Sequence, residues 1–318
     1  MPRRVYQGSS QVWHKLLLLE RTFRLGLPKM LIYFGLAPGD DLLCTAVFRE
    51  LRKRGRKRIW MMSNYASLFE GRQDVERVIP VEPKDREYAL SGGARFLRLE
   101  YSRFDVERDQ SVPPKRHIIA ELCAQLDMTG EVALRPYLSL TEAERASASW
   151  ADGMVATQSS GLVGTYPMKN KQWYPERFQA VVDSFAGNLK FVQLGSLSDP
   201  LLTDVIDLRG KTSLRETAAV LANCRLYVGN VGFLMHLARA MECASVIVYG
   251  GREAPWQSGY SCNINLYSDL SCAPCWLWNT CEYDRLCMRQ IEPAEVSGAI
   301  DQLLGRPRGP LIEDKVRI

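Results

Sequence analysis

Residues 208–240 read LRGKTSLRETAAVLANCRLYVGNVGFLMHLARA. Within them SLRETAAVLANC (213–224) reads as a helix, RLYVGN (225–230) as a short apolar strand and VGFLMHLARAMEC (231–243) as a second helix. Strand, glycine-containing turn and helix in that order form the repeating unit of a parallel sheet with crossover helices. The turn between Val228 and Ala238 offers unsatisfied backbone N–H groups at a helix start, where the dipole favours an anion.

The alternation extends in both directions. Upstream lie GLVGTYP (161–167), read as a glycine-flanked strand, the helix YPERFQAVVDSF (174–185) and the strands LKFVQLG (189–195) and VIDLRG (205–210); downstream lies ASVIVYGG (244–251). An earlier series begins with MLIYFGL (30–36), the turn Ala37–Asp40 and a helical pattern through Leu42, Leu43, Val47, Phe48 and Leu51 that Gly55 stops. Strands follow at 58–63 and 76–82. Residues 83–115, with Gly92-Gly93 and Pro113-Pro114, read as loop, 117–128 as a helix and 136–152 as a strand leading into a helix. Two such series predict an α/β fold of two Rossmann-like domains, 1–153 and 154–305, with parallel sheets facing a cleft and a tail at 306–318. Ligands belong at the carboxyl ends of the strands, in that cleft.

Composition agrees with this reading. A 318-residue chain is comfortable for two cores, and 46% hydrophobic with 24% charged residues describes a soluble globular protein. No apolar run approaches the ~20 residues of a membrane helix. The start, MPRRVYQGSS, is no secretory signal, so a cytoplasmic protein is expected. An amphipathic segment spans 11–26, and Arg52, Lys53, Arg54, Arg56, Lys57 and Arg58 surround Gly55. The basic run suits a helix C-terminus; its rival is a patch for an anionic acceptor or a lipid surface.

Three constellations bear on chemistry. In Gly39-Asp40-Asp41 a carboxylate beyond a strand can serve as general base, although by residue type alone an aspartate ahead of an apolar helix reads as an N-cap. The loop Gly164–Trp173 brings Thr165, Lys169 and Lys171 ahead of a helix, a composition suited to a pyrophosphate but also to a solvated loop, and it lacks a Walker ending. His236 lies one turn into its helix, among Met235, Leu237 and Ala238, where a histidine is either a packing residue or part of an anion site.

Taken in order, these pieces resemble glycosyltransferase family 9, the heptosyltransferase-like family. The residues that carry the likeness are GDDLLCTAVFRELRKR (39–54), KQWYPERF (171–178), the 208–240 stretch and VIVYGGREAP (246–255), and it covers residues 30–305. The resemblance implies a GT-B fold and an inverting transfer without a catalytic metal, with a nucleotide-sugar donor, ADP-heptose. It implies an acceptor that is an anionic glycan, lipid-linked or protein, peripheral contact with the inner face of the cytoplasmic membrane, and no nucleic-acid partner. By resemblance Asp40 is the general base, with Asp41 as fallback. Lys171 and Thr165 face the donor phosphates, Gly232 and Phe233 complete the anion site, Met235 and His236 support the donor, and Glu216 meets the ribose. Where the family carries an acidic residue after Gly-Asn, this chain has Val231, which implies a changed donor, a substitute residue or an inactive relative.

Four cysteines follow the spacing Cys272-x2-Cys275-x5-Cys281-x5-Cys287. Thiolates so spaced suit one tetrahedral ion, Zn²⁺ or iron, pinning a loop beside the donor cleft. Heptosyltransferase-like relatives that modify autotransporter proteins look similar here and bind iron. Cys262 is a spare; Cys44, Cys123, Cys224 and Cys243 fall on core faces. Three functions follow as expectations: transfer to a surface glycan or lipopolysaccharide-type acceptor, transfer to a protein side chain, or nucleotide or glycan binding without turnover.

Overall fold

The computed structural model describes residues 26–318 apart from Leu36 and Val163; the amphipathic segment expected at 11–26 lies, but for Gly26, outside the described residues. The first half is a parallel sheet of β1 (Met30–Tyr33), β2 (Ile59–Met62), β3 (Arg77–Ile79) and β4 (Arg95–Arg98), in the order β3-β2-β1-β4. Helix α1 (Pro38–Lys53) crosses from β1 to β2, and α2 (Pro83–Ser91) from β3 to β4. A hairpin of β5 (Phe104–Asp105) and β6 (Gln110–Ser111), helix α3 (Ile118–Ala124), strand β7 (Glu131–Ala133) and helix α4 (Glu142–Ser147) complete this half.

The second half is a six-stranded parallel sheet of β8 (Val155–Thr157), β9 (Phe191–Gln193), β10 (Val205–Asp207), β11 (Leu226–Asn230), β12 (Ser245–Gly250) and β13 (Ile264–Tyr267), in the order β10-β9-β8-β11-β12-β13. Its helices are α5 (Pro175–Ser184), α6 (Leu214–Asn223), α7 (Phe233–Ala240), α8 (Pro255–Ser258), α9 (Leu286–Arg289) and α10 (Pro293–Leu304). In each sheet the order runs inward to the first strand and then jumps past it. The switch points therefore lie between β1 and β4 and between β8 and β11, where such folds bind ligands. Every residue of β2, β11 and β12 is buried, as expected of parallel strands covered on both faces. One continuous core takes Leu43, Val47 and Phe48 from α1 and Leu234, Met235 and Leu237 from α7, so the two halves pack helix against helix.

Four sequence expectations differ from the structure. Strand β4 lies inside the 83–115 region read as loop; it is a sheet edge whose RFLR pattern exposes Arg95 and Arg98, so no apolar run announces it. Strand β8 is VAT at 155–157, whereas the described residues of GLVGTYP (161–167) form no strand, Gly161 N–H donating to the Gln172 side chain (2.6 Å) instead of to a ladder. Residues 136–140 form no strand; α4 begins after Thr141, whose hydroxyl and Glu144 make a reciprocal capping box. Residues 306–318 are no free tail, because β14 (Lys315–Arg317) pairs antiparallel with β7 and returns the chain to the first half. The basic run ends α1 as expected of a helix C-terminus: Lys53 and Arg54 pair with the buried Glu50, and Arg54 also donates to the carbonyls of Thr129 and Glu131. Among the described residues, no helix is long and apolar enough to cross a membrane.

Candidate active site

Beyond β1 the chain turns through Gly35 into α1. Helix α1 is capped by Ala37 with Pro38 in its first turn, so neither aspartate is the N-cap. Asp40 instead turns its side chain back over Gly35, where an added Cβ would lie 1.9 Å from its Oδ2. It borders a cavity of about 300 Å³ that Lys171, Arg252, Tyr166 and Trp278 also line. Burial pushes the Asp40 carboxyl up to about 6, held from rising further by the charge of Lys171 and a hydrogen bond from the Ala37–Asp40 turn. Asp41 points into the protein, accepts a hydrogen bond from Ser63 Oγ, and is pushed up to about 7 by burial despite that bond, with Asp40 adding to the rise. Of the two, Asp40 faces the cavity.

Lys171 follows the 161–170 loop, and 18% of its side chain stays exposed, enough for a ligand to reach. Its Nζ sits 2.5 Å from Glu253 Oε1. Burial lowers its pKa, while the carboxylates of Glu253 and Asp40 hold the proton on. Glu253, just beyond β12, is buried; it also accepts from Arg252 Nη1 (2.8 Å) and Ser258 Oγ (2.7 Å). Burial alone would raise its carboxyl, but Lys171 and Arg252 outweigh that and bring it down to about 2. Arg252 is fixed in turn by the Leu277 carbonyl (3.0 Å) and the ring of Trp276, 4.8 Å away. Neither Glu253 nor Arg252 nor Gly35 was singled out by sequence. The available signal was a carboxylate just past a glycine pair at a strand's carboxyl end.

The remaining expected site residues divide. Gly232 is the N-cap of α7 and Phe233 its first residue; a Cβ on Gly39 would lie 3.6 Å from Phe233 Cα, so the N-termini of α1 and α7 meet at a glycine. Thr165 is exposed on the loop beside Tyr166. Met235 is 0% exposed and its sulfur accepts from Tyr249 Oη (3.4 Å), which makes it a core residue with no surface for a ligand. His236 is buried with Nδ1 2.6 Å from Tyr260 Oη, and burial pushes its pKa down to about 3, so it is neutral and no proton carrier near pH 7. Glu216 is exposed and its carboxylate accepts from the Ser213 N–H (2.7 Å), capping α6 away from the cavity. Val231 is buried in the core, and the acidic partner of Lys171 is Glu253.

Cys272, Cys275, Cys281 and Cys287 together line a second cavity of about 270 Å³. One of the sulfurs, Cys281, accepts a backbone N–H, from Arg285 (3.3 Å). Even so, among the described residues no three His, Cys, Asp or Glu side chains sit close enough to hold a metal ion. Burial keeps Cys275 and Cys287 protonated. Cys262 and the four remaining cysteines are buried elsewhere and unpaired.

The family profile "Glycosyltransferase family 9 (heptosyltransferase)" matches residues 89–283, more than half of the chain. No curated protein matches. Among solved structures, a glycosyltransferase family 9 protein from Veillonella parvula is 18% identical with a TM-score of 0.61, covering 87% of this chain and 97% of that one. The ADP-heptose lipopolysaccharide heptosyltransferase II of E. coli is 17% identical, TM-score 0.64, covering 87% and 98%. The iron-containing dodecameric glycosyltransferase TibC of enterotoxigenic E. coli is 17% identical, TM-score 0.66, covering 87% and 76%.

Proposed function

This chain belongs to glycosyltransferase family 9 and has the GT-B fold, and from that membership we propose that it moves a heptose from ADP-heptose to a bacterial surface glycan or lipopolysaccharide-type acceptor, inverting the anomeric centre without a catalytic metal. The observation that carries the reading is the placement of Asp40 and Lys171 on one cavity, which lies at the switch point of the first sheet and takes Lys171 and Arg252 from loops of the second half. Asp40 takes the proton of the acceptor hydroxyl as that oxygen attacks the anomeric carbon. The bond from that carbon to the diphosphate breaks, and ADP departs with the electron pair. Lys171 and the backbone N–H groups at the start of α7 receive the charge that develops on the phosphates. Glu253 holds Lys171 at the cavity from the buried side, while Val231 brings no carboxylate at its own position.

The test is a thermal-shift panel of ADP, UDP, GDP, CDP and dTDP, followed by turnover of the matching sugar nucleotide. ADP at about 100 times its Kd stabilises the fold by ~2.7 kcal/mol. A preference for another diphosphate moves the donor, and silence towards all five leaves a binding protein without turnover. A second reading, a structural zinc or iron ion at the four cysteines, is carried by their shared cavity and by the Arg285 N–H that the Cys281 sulfur accepts. These donors suit such an ion once the thiols draw together, and it would pin the 272–287 loop. Elemental analysis of untagged protein finds close to one ion per chain; a folded, active, metal-free protein overturns it.

A further inference from the structure

Two carboxyls stand side by side in the first turn of α1, and the proposed reaction uses only Asp40. Asp40 borders its cavity and feels the charge of Lys171. Asp41 has neither advantage. It is 1% exposed, its Oδ2 accepts from Ser63 Oγ just past β2, and its Oδ1 is buried without a hydrogen-bond partner. Ser63 Oγ in turn accepts from the Tyr65 N–H (2.8 Å), which leaves its own hydrogen for Asp41. The titratable and polar groups that act on Asp41 are Asp40 and Cys44 on its own helix and Ser63 from the sheet, and no cation is among them.

An ionised carboxylate in that place would be a buried charge with one hydroxyl to receive it, beside a second carboxylate. The start of α1 favours one negative charge, and Asp40, with Lys171 opposite, takes it. Burial and then the Asp40 charge, against the Ser63 bond, hold the Asp41 proton on up to about 7, after Asp40 has lost its own near about 6. Asp41 already carries a proton where Asp40 is ionised and does not line the cavity, so it is no substitute base. It lies two residues past Gly39, where an added Cβ would be 3.6 Å from Phe233 Cα, so the first turns of α1 and α7 rest on each other. A second charge here is relieved by letting water or a cation reach Oδ1. That moves the first turn of α1, and Asp40 moves with it.

We propose that Asp41 is a positioning residue for Asp40: as a neutral acid it holds the first turn of α1 in its working place, and when it ionises the turn shifts and the base leaves the cavity. The proposal rests on the transferase reading and gives the enzyme an alkaline shut-off.

The test is the pH dependence of turnover and of melting for the full chain beside Asp41→Asn, which keeps the shape of the side chain and an oxygen for Ser63. In the parent, kcat/KM rises through about 6 and falls above about 7, by about tenfold or more between pH 7 and pH 9. Asp41→Asn keeps the rise and falls less than about twofold over the same span. A carboxyl whose folded pKa is raised favours the fold at low pH and loses that favour as pH passes the folded value. Asp41→Asn therefore melts higher than the parent at pH 9 and no higher at pH 5. Ser63→Ala removes a bond that lowers the Asp41 pKa, so it moves the alkaline fall to higher pH, a shift that a purely structural contact would not give. An alkaline fall that survives in Asp41→Asn, or a variant that melts like the parent at pH 9, overturns the proposal. Silence with every sugar nucleotide removes the transferase reading and the shut-off with it, while the melting difference, which needs no substrate, still reports whether Asp41 holds its proton.

Discussion

Two cavities of nearly equal volume, about 300 and 270 Å³, meet at Arg252 and hold their shapes by different means. Around Asp40 the charges lock one another: Lys171 to Glu253, and Glu253 to Arg252 and Ser258. Around the cysteines four thiols, weak donors and acceptors, share the lining with Arg108, Asn170, Glu282 and Arg285, and Cys281 is met by a single backbone N–H. In a low-dielectric setting a closed ion network fixes its geometry before any ligand arrives, which is what stabilising a developing charge requires. Thiols so weakly held fix little until something draws them together. The first cavity is built for chemistry and the second for adjustment, and the contrast can be attacked from either side.

The largest effect belongs to Asp40. Asp40→Ala lowers turnover by roughly 10²–10⁴ while ADP binding changes little, measured by steady-state kinetics beside calorimetry. Because burial raises its pKa to about 6, kcat/KM of the parent enzyme rises through that pH as the base ionises. The stability consequence has the opposite sign. A carboxyl whose folded pKa lies above its unfolded value favours the fold at low pH and loses that favour as pH rises through about 6. Asp40→Asn therefore melts higher than the parent at pH 8 and no higher at pH 4. A flat pH–rate profile would remove Asp40 from the role of base.

Next in size is Glu253→Gln, which keeps the shape and removes the charge. Breaking one partner out of a buried pair costs about 3–5 kcal/mol, here because Lys171 and Arg252 are left with no carboxylate between them. Urea unfolding reads that loss, and the KM for donor rises with it. Cys281→Ser in the metal-free protein costs about 1 kcal/mol or less by the same measurement. Equal losses in the two cavities would erase the distinction drawn between them.

The same contrast explains what the sequence disclosed. The cysteine cluster is a short-range pattern, four residues within Cys272–Cys287, and spacing alone brought them to one cavity. The strand and helix series was legible for a similar reason, since α6, β11 and α7 each carry their own apolar period. Glu253 was not legible, because its meaning lies in Lys171, which reaches it only through the order of the second sheet. Strand β4 escaped because an edge strand with alternating arginines resembles a loop, and β8 because three residues are too few to outweigh the more conspicuous GLVGTYP. Met235, His236 and Glu216 share a motif with Gly232, yet helix geometry turns the first two into the core and capping holds the third at the surface of α6. A motif fixes which residues are neighbours along the chain, and only packing decides which of them see the ligand.

The smallest effects on stability come from two glycines, one in each cavity. At Gly35 an added Cβ would lie 1.9 Å from Asp40 Oδ2 and 2.8 Å from Asp40 Cβ, its nearest neighbours. In Gly35→Ala rotation turns the Asp40 carboxyl away but leaves its Cβ in place, so the start of α1 shifts as well; turnover drops as the base leaves the cavity, and the circular-dichroism melt falls modestly. At Gly251 the added Cβ would meet Cys287 Cβ at 3.0 Å and Ala273 Cβ at 3.1 Å, both on the cysteine loop. Those neighbours must give by a few tenths of an ångström, and crowding of this kind costs about 1 kcal/mol, the low end for overpacking, where the surroundings can yield. If the thiol cavity is the adjustable one, Gly251→Ala leaves donor turnover within about twofold of the parent, a change of less than 0.5 kcal/mol in barrier. A large loss of turnover from Gly251→Ala would mean that the turn Gly250–Glu253 transmits strain from the cysteines to Lys171, and the two cavities would then be one device.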